Sequence, residues 1–151
     1  MAANRGHEAD NDAERERLIV LVSGLDEAAL GRAMPAGWTV AAVLAHLAFW
    51  DARALFLLDK WAGGTPPSNA DYEPEDVDWV NDAGKPLCLA LPPGRARELA
   101  LRIAVETDGR VKQLSDEMLT MIRAAGSPFN LSRAEHRREH LDDIERALRA
   151  G

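Results

Sequence analysis

Apolar residues recur at three- and four-residue intervals along most of the chain, which predicts four long amphipathic helices and no convincing strand. The plainest stretch follows Thr39, a capping residue. Val43, Leu47, Trp50, Ala54, Leu58 and Trp61 form one wide stripe there, and Gly63-Gly-Thr-Pro-Pro67 stops the helix after Ala62. An earlier helix is expected from a cap among Asp10, Asn11 and Asp12 to about Ser23. Leu18-Ile-Val-Leu-Val22 alone would suit a strand, but the charged lead-in Asp12-Ala-Glu-Arg-Glu-Arg17 favours helix. Residues 1–10 read as a loose tail in which His7 is solvated. Asp26 to Leu30 suits one further turn of helix, and Met34-Pro-Ala-Gly37 a tight turn.

The third helix is expected from Pro92-Pro-Gly94 to about Ala125, with Leu99, Ile103, Val111, Leu114, Met118 and Met121 on its core face. Gly109 inside it costs about 1 kcal/mol relative to alanine and predicts a kink or a close contact. The fourth, Ser132 to Ala150, opens with the capping box Ser132-Arg-Ala-Glu135 and buries Leu141, Ile144 and Leu148. Between the second and third helices, Thr65 to Pro93 form a long turn-rich crossover, with a short helix expected near Glu75 to Asn81. The fold expected is all-α: a four-helix bundle with a long crossover connection between the second and third helices, as a single domain over 1–151.

Charge and cysteine content narrow the class. A net charge of −7, spread as solvated helix faces, works against nucleic-acid binding. The single cysteine, Cys88, excludes an intrachain disulfide and fits a reducing cytoplasm. The polar N-terminus carries no signal peptide pattern, and no apolar run is read as long enough to span a bilayer. A cytoplasmic protein with no nucleic-acid or membrane partner is expected.

The candidate chemistry lies in the histidines. His136 and His140 are four apart, which on a helix stacks both rings on one face. His46 sits at the edge of the second helix's apolar stripe, one turn from Trp50 and Val43. Three imidazoles from two helices could bind a metal and leave a position open for water or substrate. The residues alone leave this trio open between a ligand set and a vacant polar patch. Cys88 has no base or cation beside it in sequence and reads as an apolar filler. Trp38, Trp50, Trp61 and Trp79 read as core, with Trp50 the best pocket candidate. Arg53 reads as solvated, with binding of an anionic substrate as its functional alternative, and Asn81 as a brace of the crossover, with a substrate contact second. Asp51 and Asp143 read as helix-surface charge, with orientation of an imidazole as the alternative.

Gly37-Trp-Thr-Val40, followed by Val43-Leu-Ala-His46-Leu-Ala-Phe-Trp50, resembles the signature of the DinB-like family. This superfamily also includes the N-terminal domain of mycothiol-dependent maleylpyruvate isomerase. Asp78-Trp-Val-Asn81 resembles the family's Asp-x-x-Asn element, and His136-x-x-x-His140-Leu-x-x-Ile144 its final helix. The matches run in order from about Leu25 to the C-terminus. The resemblance implies a four-helix bundle holding a divalent metal, often nickel or zinc, through one histidine of the second helix and two of the last. Carried over, these are His46, His136 and His140. It further implies transfer or isomerisation chemistry on a small-molecule substrate with a low-molecular-weight thiol such as mycothiol or bacillithiol. The C-terminal domain of a full maleylpyruvate isomerase is not expected here. The alternatives are a metal-dependent hydrolase, or a non-catalytic metal- or ligand-binding stress protein, as a monomer or homodimer.

Overall fold

The structure, a computed structural model, describes residues 2–71 and 77–150. Its centre is α3 (Val40–Ala62). Thr39 is extended and its hydroxyl accepts from the Ala42 amide at 3.1 Å, which starts the helix. Gly64, at φ +103°, turns the chain away at the other end, a conformation that glycine adopts without steric cost. Every residue from Val40 to Ala48 is buried, so this half of α3 is enclosed on all sides. α3 is also the one described helix long and apolar enough to cross a membrane by length and composition, which corrects the expectation that no such run exists. Burial of 67% of its most apolar window inside the bundle accounts for that composition.

α5 (Pro93–Lys112) lies along α3. Its buried face is Ala96, Ala100, Ala104, Thr107, Asp108 and Val111. Of the expected face, Val111 is buried, whereas Leu99 and Ile103 are only half-buried at its flank. The reason is volume: large α3 side chains such as Leu44 and Leu47 already fill the seam, so small residues complement them. No kink forms at Gly109, and a Cβ there would meet open space. The helix ends later, because Ser115 accepts from the Met118 amide at 3.0 Å and starts α6 (Asp116–Ala124) with acidic residues in its first turn. The expected single helix to Ala125 is therefore two. Leu114 and Met118 pack on a second apolar cluster around Trp61 and Ile122, but Met121 is 41% exposed, not core.

α1 (His7–Ser23) starts before the expected caps, and the segment read as a loose tail is tied down. The Arg5 guanidinium donates to Leu114 O at 2.7 Å and to Asp116 Oδ1 at 2.8 Å. His7 is half-buried as a result. α2 (Glu27–Leu30) is the expected further turn; Asp26 caps it, accepting from the Ala29 amide at 2.8 Å, and Leu30 is buried. Pro35–Gly37 form a 3₁₀ turn closed by a bridge between Ala33 and Thr39.

α4 (Val77–Ala90) runs through the crossover and rests on α3; it extends well past the expected end at Asn81, and residues 75 and 76 of the expected element lie outside the described residues. Trp79 on it is 73% exposed, which corrects its reading as core. α7 (Ala134–Ala150) packs chiefly on α1. Its first amides are held not by the expected box of Ser132 and Glu135 but from α1: Asn11 Oδ1 accepts from Arg133 N and Ala134 N at 2.7 and 3.0 Å, because the buried Asn11 amide lies closer to them than any side chain of the helix itself. The four long helices α1, α3, α5 and α7 make an all-α bundle, with no strand among the described residues.

Candidate metal centre

α3 and α7 bring His46, His136 and His140 together. The Nε2 atoms of His46 and His140 each lie 3.1 Å from His136 Nε2. The ring centroids form a nearly equilateral triangle of 5.1, 4.8 and 4.7 Å. His46 is 7% exposed and the other two are half-buried. Trp38 and Trp50 flank His46 edge-on, at 5.8 and 6.5 Å between centroids.

Such an arrangement suits a cation. Two nitrogens bound at about 2.0–2.1 Å to one divalent ion sit about 2.9–3.4 Å apart, depending on whether the bond angle is octahedral or tetrahedral. The two 3.1 Å spacings made by His136 fall inside that span, and the ligand nitrogens of all three residues lie within 4.8 Å of one another. Without a cation, His136 Nε2 has one proton or one lone pair with which to answer two neighbouring nitrogens. Burial, followed by the charge of neighbouring His140, holds the His46 imidazole down at about 4. His136 is lowered to about 3 by burial and then by both other histidines. His140 is also lowered by burial, against the opposing pull of the Glu139 and Asp143 carboxylates. The rings are therefore neutral at physiological pH, the form that coordinates metals.

The trio forms part of the wall of a cleft of about 1040 Å³. Trp38 and Val43 line it beside the histidines, α4 supplies Asp78, Asn81 and Asp82, and α7 supplies Glu139 and Asp143. Polar side chains outside the histidine trio thus surround the imidazoles. A smaller cleft of about 350 Å³ meets the first at His136 and Asn81, and contains Trp50 and Arg53. Trp50 Nε1 donates to Asn81 Oδ1 at 2.9 Å, so the brace between α3 and α4 and the pocket wall are one contact. The Arg53 guanidinium lies 5.6 Å above the Trp50 ring and donates to Asp71 O at 3.3 Å.

Sequence reasoning missed two features. Trp38 packs against the main core, as read, but it also lines the large cleft and meets His46 edge-on; its place just before the cap of the histidine-bearing helix was the available signal. Asp51 is not surface charge but 3% exposed, and its oxygens accept from Arg133 Nε and Arg137 Nη2, both at 3.1 Å. Asp143 is half-buried, lines the large cleft and accepts from Arg146 at 2.7 Å. Cys88 packs half-buried against the main core, and burial pushes its thiol pKa up, as a filler requires.

A family model, that of the DinB superfamily, matches residues 11–142. No curated protein and no solved structure gives a significant match.

Proposed function

The chain belongs to the DinB superfamily, and on that premise we propose that it is a metal-dependent transferase or isomerase using a low-molecular-weight thiol. What carries the reading is the convergence of three neutral imidazoles on a cleft that also presents non-ligand polar side chains. A site built only to store a metal has no need of that second set.

His46, His136 and His140 would hold a divalent ion, with nickel and zinc both suited to an all-nitrogen protein donor set. When bound, such an ion supplies Lewis acidity that brings a thiol toward its thiolate form at neutral pH. The residues around it do the rest. Asn81, its carbonyl oxygen occupied by Trp50, is free to turn its amide N–H groups toward a substrate carbonyl in either cleft. Glu139 and Asp143 line the cleft beside His140 and are the groups suited to accept the proton that a thiol gives up. Trp38 shields the His46 side from water.

Elemental mass spectrometry on tag-free wild type and His46→Ala, followed by thiol-dependent turnover of small electrophiles, tests the proposal. About one nickel or zinc per chain, lost in the variant, together with thiol-dependent consumption of an electrophile, is the expected outcome. Absence of bound metal with no uptake on addition would remove the enzyme reading.

A further inference from the structure

Two of the three histidines ride on α7, yet α7 packs chiefly on α1, and its seam with α3, which carries the third, is narrow. Buried charge spans that seam. One Asp51 oxygen accepts from Arg133 Nε and the other from Arg137 Nη2. Arg137, 1% exposed, also grips Asp108 of α5 through two bonds of 2.7 and 2.8 Å. Arg15 of α1 reaches the same Asp108 carboxylate at 2.8 Å. Arg133 adds a bond to Trp50 O at 3.3 Å. These two arginines bracket His136 in sequence, and Asp51 lies just over one helical turn beyond His46.

A buried ion cluster is a poor adhesive. Replacing one by apolar residues of similar volume is often neutral or stabilising, because desolvation offsets the attraction. Geometry is what it specifies well. A slip of α7 by one residue displaces it about 1.5 Å and rotates it by about 100°. An apolar seam tolerates part of such a shift, whereas a forked guanidinium–carboxylate pair does not. The 3.1 Å spacing between His46 Nε2 of α3 and His136 Nε2 of α7 is what the slip would destroy.

We propose that Asp51, Asp108 and Arg137 are positioning residues of the histidine centre: their buried ion cluster fixes the register of α7 against α3 and so holds His136 Nε2 at 3.1 Å from His46 Nε2, with His140 carried on the same helix. This rests on the metal-site reading for its binding arm only; the ring geometry can be read without metal.

The test compares wild type with an apolar triple variant, Asp51→Leu, Asp108→Leu and Arg137→Met, and with the isosteric Asp51→Asn in case the triple does not fold. Cobalt(II) is the probe, with affinity and visible absorption as readouts. Ring-nitrogen NMR correlation spectra of the metal-free proteins report the imidazole contacts. The triple variant, in which Arg15 and Arg133 lose their carboxylate partners, should still fold but melt lower, bind cobalt about tenfold or more weakly with a broadened absorption band, and lose the wild-type ring pattern. Asp51→Asn should show the same changes in smaller degree. Wild-type cobalt affinity and ring pattern in a folded variant would overturn the proposal. If wild type binds no cobalt but the variants still lose the ring pattern, the metal reading fails and the positioning role stands.

Discussion

Asn11, in the second turn of the first helix, caps the last one: its side-chain oxygen accepts from the amides of Arg133 and Ala134 while its Nδ2 donates to Leu131 O at 2.9 Å. Asn11 is 1% exposed, so water cannot replace these bonds. Asn11→Ala should therefore destabilise the protein by about 2 kcal/mol, the combined cost of a lost cap and of polar groups left without partners. Urea denaturation of the variant measures it. A change below a few tenths would mean that the amides find other acceptors.

His140→Ala should weaken nickel or zinc binding by about 100-fold or more while leaving far-ultraviolet circular dichroism unchanged. The ring is half-buried at the edge of α7, whereas the buried Leu141 and Ile144 hold that helix in the core. Isothermal titration calorimetry gives the affinity. Collapse of the helical signal would instead make His140 a folding residue.

The histidine shifts have a pH consequence for the metal-free protein. His46 at about 4 and His136 at about 3 lie below the ordinary imidazole value of 6.5, and His140 and His7 are shifted the same way. Below pH 6.5 the unfolded chain takes up protons that the native rings refuse. Their contribution is therefore fully present above pH 6.5 and is lost as pH falls toward 4. Denaturant midpoints of chelator-treated protein should be level from pH 7 to 8 and fall between 6.5 and 4. A midpoint unchanged over the lower range would show that the native rings take up protons as readily as the unfolded ones.

Cys88→Ala should leave metal content unchanged and cost about 1 kcal/mol or less. Burial raises the thiol pKa, so iodoacetamide near neutral pH should modify the native protein much more slowly than the denatured one. Loss of metal in this variant would reveal an unsuspected ligand.

The elements that announce themselves locally were legible in the sequence. α3 has a cap, a periodic stripe and a glycine stop, all within its own residues, and the histidine spacing on α7 is set by the helix itself. What escaped notice depends on partners far away in the chain. Asn11 looks like one cap among three until Arg133 and Ala134 are brought to it. Asp51, Asp108 and Arg137 look like solvated charges because burial becomes acceptable only when all three meet. The alanine face of α5 carries little hydrophobic signal, since its value lies in the size of what it faces. The break before α6 is masked by apolar spacing that continues from Val111 through Leu114 and Met118, and its one local signal is the cap at Ser115.

The 3.1 Å approach of His46 to His136 joins positions 90 residues apart in the chain. Any ion that grips both is a cross-link as well as a reagent: it closes a long loop and removes freedom from the unfolded chain, as a disulfide over such a loop does by about 4–5 kcal/mol. The single cysteine leaves the protein no intrachain covalent means to that end. A chelator should therefore lower the melting temperature by several degrees, and a melting temperature unmoved by chelation of loaded protein would show that the ion fastens nothing.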